Sequence, residues 1–226
     1  MKRRWSRMGV LGAALGLGGC ILPLDIDIDT GIHVRGSGRV VSEARFVDAF
    51  DAIVASGSIH VVVERTGYEG VTVSAEDNIL PYIRTQVHNG VLELSPAPGV
   101  SLSPRHEILV YVESYEVVEL EASGATSVEA DLGWVEDLWV TVSGASSVEV
   151  WGAADNAYVT VSGASWYDAL DLETLDSRID VSGASEARIW AREFLGVTAS
   201  GASRVRFRGN PVVSAQVSGA STVMRW

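Results

Sequence analysis

The stretch 140-VTVSGASSVEV-150 recurs with small changes through the second half of the chain. Related stretches begin at residues 159, 179, 197 and 215, and Ser-Gly-Ala itself begins at Ser123, Ser143, Ser162, Ser182, Ser200 and Ser218. Successive copies are spaced by 20, 19, 20, 18 and 18 residues. A period of this length is typical of solenoid proteins, in which each repeat adds one coil to a stack.

Each copy alternates between apolar and polar residues on both sides of Ser-Gly-Ala. In the quoted stretch Val140 and Val142 flank Thr141, and apolar residues return at Val148 and Val150. This alternation is typical of strands with one buried and one exposed face. A unit of 18–20 residues cannot bury its inner face alone, but stacked units can. We therefore predict an all-β fold, a right-handed parallel β-helix (β-solenoid) of 18–20-residue coils.

The Ser-Gly-Ala-Ser motif itself is suited to a corner between two strands. Glycine permits positive φ or a close backbone approach, and the serines can bond to backbone groups or to each other. A nucleophilic serine would need a base. The four histidines, however, all precede the first regular repeat, at His33, His60, His88 and His106. The motif therefore predicts a structural corner rather than a catalytic site.

The N-terminal half also alternates with period two. The candidate strands are IHVVVE (59–64), VTVS (71–74), IRTQV (83–87), VLELS (91–95) and ILVYVE (108–113). Asn89-Gly90 is a typical type I′ turn sequence and predicts an antiparallel hairpin, whereas 95–99 and 101–104 are predicted as loop. The stretch 53-IVASGSIHVVV-63 has the offsets of the repeat, so residues 64–118 would be an elaboration between a first coil and the regular stack.

The chain begins with the features of an export signal. Four basic residues and no acid fall within the first nineteen residues, and an apolar stretch of twelve residues follows the basic segment. It ends in 17-LGGC-20, which resembles the lipobox of bacterial lipoproteins and implies acylation of Cys20. Cys20 is the only cysteine. Ile21 after it implies, by the same resemblance, sorting to the outer membrane; an ordinary cleaved signal peptide is the alternative.

These observations divide the chain into three parts. Residues 1–19 are predicted as a lipoprotein signal peptide and 20–38 as lipidated cysteine and tether, although DIDID (25–29) also suits an edge strand. Residues 39–226 are predicted as one β-helical domain. Within it, 39–118 hold the N-terminal strands and hairpin, and 119–226 hold the repeat stack.

Three features together resemble the autotransporter-adhesin head, or GIN, domain family. They are the SGAS repeats, the opening 53-IVASGSIHVVVE-64 and the hairpin 76-EDNILPYIRTQVHNGVLEL-94. The resemblance covers nearly all of the chain after the signal peptide. It implies a β-helical domain on exported bacterial proteins, often lipoproteins, and it implies little about activity.

Charge and motif content exclude several function classes. The chain has a net charge of −12, and without residues 1–19 it has 13 basic and 29 acidic side chains. Such an acidic body would repel phosphate backbones, so no nucleic-acid partner is expected. No zinc, calcium or nucleotide motif is present, and no metal or cofactor is expected. The outward column Glu129, Glu149 and Asp168 resembles the acid ladders of some polysaccharide lyases, but Arg188 and Arg206 continue it, which favours charge alternation.

Tryptophans supply the candidate ligand contacts. Trp139, Trp151, Trp166 and Trp190 fall at turns or at outward positions, as does Trp134. They would contact a glycan or a protein, or pack loops against the rod. We predict a non-enzymatic, lipid-anchored lipoprotein of the cell envelope, acting as an adhesin-like surface module with a glycan or envelope protein as partner. A polysaccharide lyase or hydrolase on the same fold, and a structural envelope spacer, are the alternatives.

Overall fold

The computed structural model describes residues 31–226, which consist almost entirely of β-strands and turns. The strands of the N-terminal part are β1 Ile32–Arg35, β2 Val40–Arg45, β3 Ala52–Ser56, β4 His60–Arg65, β5 Gly70–Glu76, β6 Ile83–His88, β7 Val91–Pro96, β8 Val100–Ser103 and β9 Leu109–Ser114. A 3-10 helix occupies Leu80–Tyr82. Within residues 31–226 there is no helix with the length and apolarity needed to cross a membrane.

The repeat region forms the predicted stack of parallel strands. Its strands are β10 Glu119–Ser123, β11 Ser127–Val142, β12 Ser147–Val161, β13 Trp166–Val181, β14 Glu186–Ala199, β15 Arg204–Arg208, β16 Val212–Val217 and β17 Thr222–Arg225. Each long strand pairs in parallel with the next, β11 with β12, β12 with β13 and β13 with β14. The result is a β-solenoid of about five turns, which confirms the predicted fold class.

Equivalent residues of successive repeats lie directly above one another. Before the corner Val140 pairs with Val159, and after the corner Val128 pairs with Val148. These residues are buried, and the polar residues between them face outward. We call the segments before the corner the A face (119–122, 139–142, 158–161, 178–181, 196–199 and 214–217) and those after it the B face (127–131, 147–151, 166–169, 186–190, 204–208 and 222–225).

The strands are longer than the alternation predicts. The predicted break between the strand after one corner and the strand before the next is absent, because pairing continues from the B face to the next A face, for example through all of Ser127–Val142. Differences in repeat length are absorbed as register shifts, such as the one between Asp131 and Trp134, and not as loops. Gly133 turns the chain there with a φ of 61°, and the Arg65 guanidinium donates to the carbonyl oxygens of Leu132 and Trp134.

The earlier copy of the repeat at 53–63 is confirmed as a coil of the same stack. Strand β3 pairs with β10 in the predicted register, Ile53 with Leu120, and β4 pairs with β11, Val61 with Val128. Below this coil β7 and β9 add one more parallel layer. The antiparallel strands β2, β5 and β6 then cover that end of the solenoid.

The predicted hairpin of the elaboration is confirmed. Strands β6 and β7 pair antiparallel, and Asn89 and Gly90 both have positive φ, at 53° and 83°. The predicted loop at 101–104 is wrong, because β8 pairs in parallel with β1. Val34 and Leu102 of this pair pack against the core. Strand β1 lies within the segment predicted as tether, whereas Cys20 and 25–29 lie outside the described residues.

The Ser-Gly-Ala-Ser corners have the predicted backbone conformation. The glycines of all six regular corners have φ between 67° and 81°. A Cβ added to Gly163 would lie 2.5 Å from the carbonyl oxygen of Gly144, one turn below. The last serine of the motif faces inward, and several of these buried serines bond along the stack. Ser185, for example, accepts from the backbone amide of Ser165 and donates to the Gly163 carbonyl.

Replacing a corner glycine should therefore be costly. We expect Gly163→Ala to lower the free energy of unfolding by about 3 kcal/mol, because it combines a positive φ with a backbone clash. Gly99 has a positive φ, but an added Cβ would meet no atom within 4 Å, so Gly99→Ala should lower the free energy of unfolding by about 1 kcal/mol. Gly67 has neither a positive φ nor a neighbour that a Cβ would meet, so Gly67→Ala is the neutral control. Denaturant unfolding measures all three. Equal losses for Gly163→Ala and Gly99→Ala would contradict the role of the close approach.

Candidate functional site

The A face carries a concave surface. It is a groove of about 520 Å³ that crosses the successive turns of the solenoid. Two outward columns form it. The first stands four residues before each corner serine and comprises Glu119, Trp139, Tyr158, Arg178, Gly196 and Ser214. The second stands two residues later and comprises Glu121, Thr141, Thr160, Asp180, Thr198 and Gln216.

The first column contains an aromatic platform. The rings of Trp139 and Tyr158 are stacked, with centroids 5.6 Å apart and planes inclined by 15°. Parallel pairing places these two side chains on neighbouring turns, about 4.8 Å apart along the axis, which suits stacking of flat rings. Trp139 remains 43% exposed. The platform therefore presents a broad apolar surface to solvent within the groove.

Arg178 continues the platform on the next turn. Its guanidinium carbon lies 5.9 Å from the centroid of the Tyr158 ring and 5.4 Å from that of the Phe194 ring. Both distances are within the range of cation–π attraction. The two rings hold the guanidinium on the groove wall, and its side chain is exposed there.

The second column supplies polar groups. Thr141, Thr160 and Thr198 are exposed, and so is the Asp180 carboxylate. A hydroxyl can both donate and accept a hydrogen bond, and a carboxylate accepts. The groove thus places a row of hydrogen-bonding groups alongside a row of aromatic rings.

The predicted tryptophan sites do not form one surface. Trp139 lies on the A face in the groove, whereas Trp151, Trp166 and Trp190 lie on the B face and are half-buried. There Trp166 packs under Arg188, and the Trp190 ring lies 3.7 Å from the guanidinium carbon of Arg208.

Trp134, which is 53% exposed, lies between the two faces and approaches Asp155 through its indole nitrogen. The tryptophans predicted from their residue type alone therefore lie on different faces of the solenoid. Tyr158, Arg178 and Phe194 were missed. Tyr158 and Arg178 share the position of Trp139 in the repeat, so the repeat position is the signal that could have found them.

The acidic column of the B face has the predicted order. Glu129, Glu149 and Asp168 lie on successive turns, followed by Arg188 and Arg206. Arg188 compensates the negative charge at one end of the column, because its guanidinium lies 3.2 Å from an Asp168 carboxylate oxygen.

Glu149 is paired with no cation among the described residues, 31–226. Burial, and then the nearby carboxylates of Asp168, Glu129 and Asp171, raise the pKa of Glu149. The depression beside it measures about 100 Å³. Within residues 31–226 no group of three or more histidine, cysteine, aspartate and glutamate side chains is arranged to hold a metal ion.

The raised pKa of Glu149 predicts a pH-dependent effect on stability. Its ionised form is less favourable in the folded protein than in the unfolded chain. At a pH above the folded-state pKa, where the carboxyl is ionised in both states, Glu149→Gln should raise the midpoint of thermal unfolding slightly. As the pH falls through the folded-state pKa the wild-type carboxyl takes up its proton, so the difference should shrink. Glu193→Gln, away from the column, is the control, and a lower midpoint for Glu149→Gln at a pH above the folded-state pKa would contradict the prediction.

Solved structures with this fold include proteins from Bacteroides and Parabacteroides species. A "putative adhesin" from Bacteroides fragilis NCTC 9343 has a TM-score of 0.72 and 17% identity, covering 85% of this chain and 100% of that one. A "putative lipid binding protein" from Parabacteroides distasonis ATCC 8503 has a TM-score of 0.54 and 17% identity, covering 86% and 99%. A "putative adhesin" from Parabacteroides merdae ATCC 43184 has a TM-score of 0.51 and 19% identity, covering 87% and 100%. At these identities the likeness shows the fold alone.

A search of curated proteins gave no match to this chain. A family model, in contrast, matches residues 49–211, which span both the N-terminal elaboration and most of the repeat stack. Its description is "Putative auto-transporter adhesin, head GIN domain". The match covers well over half of the chain, and the protein belongs to this family.

Proposed function

We propose that this protein is a non-catalytic binding module of the bacterial cell envelope and that the A-face groove holds its ligand. The observation that carries the proposal is the stacked pair Trp139–Tyr158, exposed in a groove of about 520 Å³. This volume falls within the range of about 300–1,000 Å³ typical of ligand sites. The family description and the adhesin descriptions of structures with the same fold support a binding role.

A glycan chain is the ligand class that fits the groove best. A sugar ring has an apolar C–H face, which packs on the negative face of an aromatic ring, and a rim of hydroxyls. Trp139 and Tyr158 offer the ring faces, and the column of Thr141, Thr160 and Thr198 offers hydrogen bonds beside them. The turn spacing of about 4.8 Å is close to the length of one pyranose unit. A linear glycan would thus meet equivalent groups on successive turns.

The distribution of carboxylates favours binding over cleavage. Glycoside hydrolases place two carboxyl groups about 5–9.5 Å apart across the bond that is cleaved. Glu121 shares the repeat position of Thr141 but does not line the groove, and the two carboxylates that do, Glu119 and Asp180, are three turns apart, or about 14 Å at the strand spacing. On the B face the acidic column faces a depression of about 100 Å³, well below the usual size of a ligand site.

The envelope location in this proposal depends on Cys20. The sequence 17-LGGC-20 follows a basic and an apolar segment, and the chain has no second cysteine with which Cys20 could form a disulfide. Acylation at Cys20 would anchor the protein to a membrane through several acyl chains, which gives stable attachment. The domain would then stand on the outer membrane, joined to it through the residues after Cys20.

Aromatic truncation tests the groove. We expect the purified protein to bind linear oligosaccharides on a glycan array, and Trp139→Ala or Tyr158→Ala to weaken that binding at least tenfold in calorimetric titration. Trp151→Ala removes the same ring type from the B face and is the matched control. Loss of binding with Trp151→Ala but not with Trp139→Ala would place the ligand elsewhere. Absence of binding to every glycan would favour a structural spacer.

A single substitution tests the anchor. We expect Cys20→Ser to move the protein from the membrane fraction to the soluble fraction of lysed cells, because serine lacks the thiol that accepts the lipid. Incorporation of a labelled fatty acid should be lost at the same time. If Cys20→Ser still partitions with membranes and still incorporates the label, the lipobox assignment is wrong.

A further inference from the structure

We propose that Arg178 binds a carboxylate of the glycan, so that the groove selects an acidic oligosaccharide in which a uronic acid alternates with a neutral sugar. This inference rests on the proposed function of the A-face groove. It specifies the charge of the ligand and the residue that recognises this charge. The argument comes from the partners of Arg178, the space around it and the charges nearby.

Arg178 has no acidic partner among residues 31–226, unlike many arginines of the stack. Arg188, Arg192, Arg204 and Arg206 each lie within 4 Å of an aspartate or glutamate oxygen. Asp180 is only two residues from Arg178 on the same face, yet the two side chains form no ion pair. The guanidinium is instead held by the Tyr158 and Phe194 rings. Its contacts within the described chain therefore leave its charge uncompensated.

The side-chain N–H groups of Arg178 make no hydrogen bond or ion pair within residues 31–226, where its guanidinium contacts two aromatic rings. A cation–π contact uses the positive charge, whereas a carboxylate binds two N–H groups of a guanidinium. Tyr158 lies on the turn below Arg178, and Phe194 belongs to the turn above. The planar group is thus oriented before a ligand arrives, which reduces the entropy lost on binding.

Gly196 leaves space next to Arg178 in the same column. Its backbone does not require glycine, since its φ lies outside the positive range. A Cβ at this position would lie 3.2 Å from the Phe194 ring and 3.6 Å from the Arg178 side chain. A glycine inside a strand is typical of a place where another group approaches closely. Here it keeps the groove open beside the guanidinium and its aromatic support.

The surrounding charges limit how acidic the ligand can be. Asp180 and Glu119 also line the groove, and the protein as a whole has a net charge of −12. A carboxylate on every sugar would place some of them against these acids, at a separation where like charges repel. A uronic acid at Arg178 followed by a neutral sugar at Trp139–Tyr158 places no second carboxylate on the turns that lead back to Glu119. The hydroxyls of the sugar on the Arg178 turn can also donate to the Asp180 carboxylate.

The test compares one oligosaccharide in two charge states. Hyaluronan octasaccharide, which alternates glucuronic acid with N-acetylglucosamine, and its carboxyl-reduced form are titrated into the purified protein. We expect the wild type to bind the acidic form at least tenfold more tightly, with a preference that weakens as salt is added. Arg178→Gln should remove this preference by lowering the affinity for the acidic form to about that for the reduced form. Arg208→Gln, which alters an arginine stacked on Trp190 outside the groove, should retain it.

The outcomes distinguish a failure of this inference from a failure of the proposed function. An unchanged preference in Arg178→Gln, or tighter binding of the reduced form by the wild type, overturns the role of Arg178. If Trp139→Ala still abolishes binding of the reduced form, the groove remains the glycan site. Polygalacturonate bound more tightly than hyaluronan would overturn the alternation of acid and neutral sugar. Absence of binding to any of these probes, in either charge state, would overturn the inference.

Discussion

At the last five corners of the stack the alanine amide donates to the carbonyl oxygen of the glycine one turn below. Ala164 donates to Gly144 and Ala184 to Gly163, both at 2.8 Å. This contact requires that no side chain stand between the turns, and a Cβ on the upper glycine would overlap the same carbonyl. This close backbone approach thus coincides with a residue that also needs positive φ. Five repeated glycines, Gly144, Gly163, Gly183, Gly201 and Gly219, satisfy both requirements together.

The corner contact determines where a functional surface can be built. Because it fixes the register of neighbouring turns, residues at a set distance from the corner form columns, and a slip of one residue would exchange the inner and outer faces. The A face directly precedes the corner and keeps its register through every turn, from Glu119 to Ser214. The B face runs into the segments where the register shifts, as between Ala169 and Glu173. Side chains within such a shift do not form continuous columns.

The repeat made the solenoid predictable, and long-range pairing made other parts unpredictable. Alternation around Ser-Gly-Ala specified which side chains face inward, and Asn89-Gly90 specified a hairpin, because both are local signals. The partner of β8 is β1, nearly seventy residues earlier, and nothing in 101–104 indicates it. The groove was only partly predictable for a similar reason. Trp139 could be chosen by residue type, but Tyr158 and Arg178 acquire their role from the turns stacked on either side of them.

The charged residues along the solenoid differ between the two ends of the groove. Residues 194–226 contain four arginines and no aspartate or glutamate, although the chain as a whole carries −12. The groove begins beside Glu119 and reaches Arg178 three turns later, so its potential becomes more positive toward the C-terminal end of the stack. An acidic chain lying in the groove would therefore be repelled at one end and attracted at the other. Stacked rings bind a sugar face in either direction, whereas this gradient favours one orientation, with the acid on Arg178 and the neutral sugar on Trp139–Tyr158.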